Sequence, residues 1–138
     1  GNAPRGAKKM TEDTPQPIDI LVVEDEDVLR RLLVLSLRGE GFSVMEAEDG
    51  KVGQVLALKH RPRLILLDIV MPGVNGLDML KLLRQDDWGY EANVVLLTNL
   101  GDTESLKRAD AYQVSGYLVK SDWSLDELTT QIKQKLAA

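Results

Sequence analysis

The stretch Leu64-Ile65-Leu66-Leu67-Asp68 decides the fold. Its four apolar residues in succession leave no polar face for water, so a strand here is buried on both sides. Sheets buried on both sides are parallel, because the crossovers joining parallel strands lay helices over each face. Working towards the N-terminus, Ile18-Asp19-Ile20-Leu21-Val22-Val23 is a strand candidate that ends abruptly in Glu24-Asp25-Glu26-Asp27. A helix is predicted next, with Val28, Leu29, Leu32, Leu33, Leu35, Ser36 and Leu37 forming a broad apolar face until Gly39 and Gly41 stop it. Phe42 to Ala47 is a weaker strand, placed at an edge. Gly50 to His60 is a helix with Val52, Val55, Leu56 and Leu58 as its apolar residues, closed before Pro62.

Beyond Asp68, residues 69–75 form a loop carrying Met71-Pro72-Gly73, and Leu77, Leu80 and Leu83 mark the buried side of a third helix. Asn93 to Thr98 is the fourth strand. A fourth helix, from about Asp102 to Tyr112, has only Leu106 and Ala109 as clear core contacts. Gly116 to Val119 is the fifth strand and ends at Lys120. The last helix opens at Ser124 with Glu127 three residues on, a capping box, and carries a stripe of Leu125, Leu128, Ile132 and Leu136. Trp88 and Trp123 are expected to pack beside loops, with Trp123 a candidate partner contact, and His60 to lie at a solvated helix end. Five such βα units predict an α/β fold, an open doubly wound parallel sheet. Right-handed crossovers favour the strand order 2-1-3-4-5, the flavodoxin-like arrangement.

Composition narrows the function. The chain has 138 residues, 43% hydrophobic and 28% charged, which suits one globular domain. Residues 1–17, with Pro4, Pro15 and Pro17, are expected to be a flexible leader or cloning remnant, and 18–138 the folded domain. There is no Cys and one His, which excludes thiolate chemistry and multi-His metal sites. A net charge of −5 argues against direct nucleic-acid binding through a basic face. No apolar run approaches the roughly 18 residues needed to span a bilayer, and no signal-peptide pattern is present, so a cytoplasmic location without membrane contact is expected.

The polar residues fall at the strand ends. Strand one delivers Glu24 and Asp25, strand three Asp68, strand four Thr98 and strand five Lys120. Ligands of such sheets bind beyond the carboxyl ends of the strands. Three carboxylates at one edge disfavour one another's ionisation, and a divalent cation relieves this. Mg²⁺ prefers oxygen ligands, typically one or two carboxylates with water and phosphate oxygens completing the shell. Asp25 and Asp68 are the expected direct ligands, with Glu24 acting directly or through water and Val70 lending a backbone carbonyl. For phosphoryl transfer, Asp68 suits the nucleophile. Mg²⁺ and Lys120 would neutralise the phosphoryl oxygens and Thr98 would donate to one of them.

Four stretches resemble the receiver domains of bacterial two-component response regulators: Ile20–Asp27 (ILVVEDED), Leu66–Gly76 (LLDIVMPGVNG), Val94–Thr98 (VVLLT) and Gly116–Lys120 (GYLVK). The resemblance runs from about Ile18 to the C-terminus. It implies a chemotaxis-receiver-like signalling switch phosphorylated on Asp68, with Glu24 and Asp25 as the acidic pair for Mg²⁺ and Thr98 and Lys120 as switch residues. Tyr117 matches the aromatic switch that turns inward when Thr98 moves. The implied donor is a sensor histidine kinase or histidine phosphotransfer protein docking near the first helix. The output face is then the fourth helix, fifth strand and fifth helix, open to an effector, an output domain or a phosphorylation-dependent homodimer. Such a domain is regulatory rather than an enzyme, assisting only its own phosphorylation and slow dephosphorylation.

Two positions depart from the pattern. Ser121 stands where a cis proline usually follows the lysine, and a cis bond before Ser costs about 2.5–4 kcal/mol. Asn99 stands where a small residue is usual and is expected to crowd the phosphate. Val70 and Leu100 are apolar and unable to orient a water, which predicts slow self-dephosphorylation. A haloacid-dehalogenase-like phosphatase would want an acid where Val70 stands. An FMN carrier would want a hydroxyl- and glycine-rich loop where the four acids stand, and neither a P-loop nor a dinucleotide fingerprint is present. The standing alternative is a pseudo-receiver, the same fold used as a phosphorylation-independent interaction module.

Overall fold

The computed structural model describes residues 17–69, 71, 76–99 and 103–137. Residues 1–16, Val70, residues 72–75, residues 100–102 and Ala138 lie outside them. The strands are β1 (Ile20–Val23), β2 (Val44–Ala47), β3 (Leu64–Asp68), β4 (Val94–Thr98) and β5 (Gly116–Val119). They alternate with α1 (Asp27–Gly39), α2 (Gly50–His60), α3 (Gly76–Leu83), α4 (Thr103–Asp110) and α5 (Leu125–Ala137). Every pairing is parallel, in the order β2-β1-β3-β4-β5, as expected.

Side chains alternate across the pleat, so each strand feeds two cores. Leu21, Val23, Ile65, Leu67, Val94 and Leu96 pack under α2, α3 and α4 with Ala57, Met79, Leu80, Leu83 and Ala109. Ile20, Val22, Leu64, Leu66, Val95 and Leu97 pack under α1 and α5 with Leu33, Val34, Leu37, Leu128 and Ile132. The unbroken apolar run of β3 follows from its central place: all five of its residues are buried.

Several expectations need correction. β1 begins at Ile20, because Ile18 and Asp19 form a lead-in in which the Asp19 N–H donates to the Ser43 carbonyl and hydroxyl. β2 starts at Val44 rather than Phe42. α1 buries a narrower face than expected: Val28 is 73% exposed, and Leu32 and Leu35 also face water. Its seat is Arg30, Leu33, Val34 and Leu37, one stripe of a helix lying on a sheet. On α2 the residues facing the sheet are Gly53 and Ala57, while Val52 and Val55 are exposed. A Cβ at Gly53 would lie 2.9 Å from Met79 Sδ and Val23 Cγ2, so the helix approaches closer than a larger residue allows. α4 spans Thr103–Asp110, with Ala109 buried and Leu106 half-buried. His60 is half-buried, its Nδ1 shielded and without a hydrogen-bond partner, rather than solvated.

Other local signals hold. The Ser124 hydroxyl accepts from the Glu127 N–H at 3.2 Å and Glu127 accepts from the Ser124 N–H at 3.2 Å, the reciprocal capping box. Asp49 caps α2 by accepting from the Val52 N–H at 2.8 Å. Trp88 and Trp123 are half-buried against the two cores. Arg84, just past α3, donates to the carbonyls of Gly89, Ala92, Tyr112 and Gln113, tying the α3–β4 connection to the end of α4.

Candidate functional site: the acidic edge of the sheet

Parallel pairing brings all the carboxyl ends of the strands to one edge, and the register aligns them. Val23 is level with Leu67, Asp68 with Leu97, and Thr98 with Val119. Glu24, Asp68 and Thr98 therefore follow or end buried strands, and all three are buried. Asp25 is exposed beside them. Carboxylate oxygens of Glu24, Asp25 and Asp68 lie within 4.8 Å of one another.

Lys120 closes the group from β5. Its Nζ stands 2.6 Å from Glu24 Oε1 and 3.2 Å from Asp68 Oδ2. The contact to Asp68 has hydrogen-bond geometry. The contact to Glu24 is an ion pair that leaves this wholly buried Oε1 without an aligned donor. Burial pushes the Glu24 carboxyl up to about 7, against the adjacent Lys120 ammonium and the hydrogen bond from the Glu26 N–H, which lower it, while the Asp68 charge adds to the rise. Burial also opposes the Lys120 charge, but Glu24 and Asp68 outweigh it and raise its pKa above the ordinary lysine range.

Asp25, Asp68 and Lys120, with Glu26, Asn99 and Ser121, line a cavity of about 720 Å³ that has Val28, Leu29 and Leu32 as an apolar rim. The spacing of α1 signals a core face, and only packing shows which part of it turns to the cavity. The Thr98 hydroxyl donates to the Asn99 carbonyl at 3.2 Å. Tyr117 points outward from β5, 53% exposed. No peptide bond among the described residues is cis, so Lys120–Ser121 is trans, and Lys120–Asp122 forms a single 3₁₀ turn. Val70, whose carbonyl was expected near the cation, and Leu100 lie outside the described residues. The donor set, oxygens only with one buried oxygen lacking a donor, fits a hard cation such as Mg²⁺.

Sequence comparison decides the family. The model of the response regulator receiver domain matches residues 20–133. The chain belongs to the response regulator receiver domain family.

Receiver domains are regulatory parts of two-component signalling proteins, and relatives of this one carry that role in their names. The DNA-binding response regulator MtrA of Mycolicibacterium smegmatis is 33% identical over 117 residues, covering 85% of this chain and 50% of the relative. The DNA-binding dual master transcriptional regulator RpaA of Synechocystis is 30% identical, covering 85% of this chain and 48% of the relative. The chain thus spans about half the length of these curated relatives. Their names carry DNA binding, so the expectation of no nucleic-acid contact, drawn from the acidic charge, does not extend to proteins of that length.

Among solved structures, the receiver domain of NtrX from Brucella abortus superposes with a TM-score of 0.76 at 28% identity, covering 87% of this chain and 99% of that one. The Vibrio cholerae chemotaxis protein CheY4 reaches 0.77 at 24% identity, over 86% of this chain and 98% of that one, a likeness of fold. No helix among the described residues is long and apolar enough to cross a membrane.

Proposed function

We propose that this receiver domain accepts a phosphoryl group on Asp68 in an Mg²⁺-dependent reaction, and that the acyl phosphate shifts its α4–β5–α5 face between two states. The observation carrying this is that carboxylate oxygens of Glu24, Asp25 and Asp68 lie within 4.8 Å of one another, with Lys120 reaching two of these residues. Glu24, Asp25 and Asp68 would hold the cation, with the Val70 carbonyl as a further ligand. When bound, Mg²⁺ supplies charge neutralisation for the phosphoryl oxygens.

The chain's own residues do the rest. A carboxylate oxygen of Asp68 attacks phosphorus, an O–P bond forms, and the donor's N–P or O–P bond breaks with its electron pair leaving on the donor. Lys120 keeps its ammonium at Asp68 and balances the charge that the phosphoryl group brings. The Thr98 hydroxyl, now on the Asn99 carbonyl, turns to a phosphoryl oxygen, and the exposed Tyr117 moves inward. α4, seated on little more than Ala109, is the element such a population shift moves most easily.

The donor is a sensor histidine kinase or histidine phosphotransfer protein, seated on the apolar rim of α1, in the cytoplasm. The receiver is followed in function by an effector or output domain, and homodimerisation is a further outcome of phosphorylation. Asn99 and Ser121 at the cavity favour one competing account, a phosphorylation-independent module. Incubation with acetyl phosphate, with and without Mg²⁺, followed by intact mass, separates them. One added phosphoryl group that requires Mg²⁺ and vanishes in Asp68→Asn is expected. No addition to a folded, Mg²⁺-binding protein would leave the module. With apolar Val70 and Leu100 two residues beyond Asp68 and Thr98 in sequence, the phosphorylated form is expected to persist well beyond seconds at room temperature.

A further inference from the structure

A buried guanidinium sits behind the acidic turn. Arg30, on α1, is 9% exposed, and all three of its nitrogens are engaged. Nε donates to Glu46 Oε1 at 3.0 Å, Nη1 to the Glu24 main-chain carbonyl at 2.9 Å, and Nη2 to Asp27 Oδ1 at 2.6 Å. The acceptors belong to the end of β1, the edge strand β2 and the first turn of α1. A rigid fork can meet three acceptors in fixed directions, whereas an ammonium is a single point.

The contact to Glu24 matters most. That residue's N–H donates to the Ala47 carbonyl at 3.1 Å, and its Oε2 accepts from the Glu26 N–H at 3.0 Å. Arg30 takes its carbonyl, so the main chain is held on both sides of the Glu24 Cα while Oε1 faces Lys120. Without Arg30 the carbonyl would be buried and unpaired, and the turn would relax to reach water.

We propose that Arg30 is a positioning residue for the cation site, holding the Glu24–Asp25 turn in the shape that lets both carboxylates meet one ion. This rests on the Mg²⁺ site proposed above. Two effects of removing Arg30 have opposite signs. Loss of a positive charge near an acidic cluster, by itself, tightens cation binding. Loss of the grip on the turn weakens it.

The test is Mg²⁺ affinity by titration calorimetry on the full chain, with the urea midpoint of each metal-free variant measured alongside. Arg31→Met is the charge-matched control, because Arg31 also pairs with Glu46 but is half-exposed and has no hydrogen bond to Glu24. Arg30→Met and Arg30→Lys are each expected to weaken Mg²⁺ binding about tenfold. Arg31→Met should leave it unchanged or slightly tighter. Arg30→Lys keeps the charge and carries the test if Arg30→Met fails to fold. Wild-type affinity in Arg30→Lys, or tighter binding in Arg30→Met, overturns the assignment while the site itself stands. No Mg²⁺ binding by the wild type overturns the site and this role together.

Discussion

Lys120 Nζ lies 2.6 Å from Glu24 Oε1, so the residue after β5 holds the residue after β1 across the ends of β3 and β4. In strand order Asp68, at the end of β3, lies between the two. The ammonium therefore competes with a cation for Glu24, yet assists any anion bound to Asp68.

Lys120→Met separates these two roles. Mg²⁺ binding, measured by calorimetry, is expected to tighten about fivefold, since a competing charge is gone. Phosphorylation by acetyl phosphate should slow by about tenfold or more, read as the rate of mass gain. Weaker Mg²⁺ binding would mean that Lys120 organises the acids rather than competing for them.

The raised Glu24 pKa has a definite sign. With its carboxyl moved from 4.5 to about 7, the metal-free native state holds a proton there that the unfolded chain releases. Its contribution to stability is full below the unfolded value and is lost as pH rises through the folded one. The urea midpoint of the metal-free protein should therefore lose a Glu24 contribution between about pH 4.5 and about pH 7. Mg²⁺ affinity should rise over the same window with release of a proton. Glu24→Gln should flatten both profiles.

Gly76 opens α3 against the main chain of Asp68. A Cβ there would stand 2.1 Å from the Asp68 carbonyl oxygen and 2.5 Å from the Ile69 Cα, both main-chain atoms that cannot swing aside. Gly76→Ala is expected to cost about 1–3 kcal/mol in urea denaturation. It should also slow phosphorylation by displacing Asp68, and unchanged values of both would contradict the packing described.

Arg84 pairs with four main-chain carbonyls and with no carboxylate among the described residues. Burial lowers its pKa, as expected of a cation held by dipoles alone. Arg84→Met should cost about 3 kcal/mol, because several of these carbonyls are left unpaired together. Denaturation at two salt concentrations is the check: a loss independent of salt marks lost hydrogen bonds rather than a screened ion pair.

The amino-acid sequence by itself determined the order and type of the elements, the parallel sheet, and the edge at which its polar residues meet. The physical reason is local: a run such as Leu64–Leu67 can only be buried on both faces, and a polar residue ending such a run must lie at the strand end. Parallel strands then bring Glu24, Asp68, Thr98 and Lys120 to the same edge of the sheet. Tertiary structure alone decided which part of α1 faces inward, since Val28, Leu32 and Leu35 are as apolar as Leu33 and Leu37 and differ only in angle to the sheet. It also decided that Arg30 is buried, that Gly76 touches the Asp68 main chain, and that Lys120 reaches Glu24. Each depends on the approach of two elements to within a few ångströms, and that approach is set by packing between segments far apart in the chain.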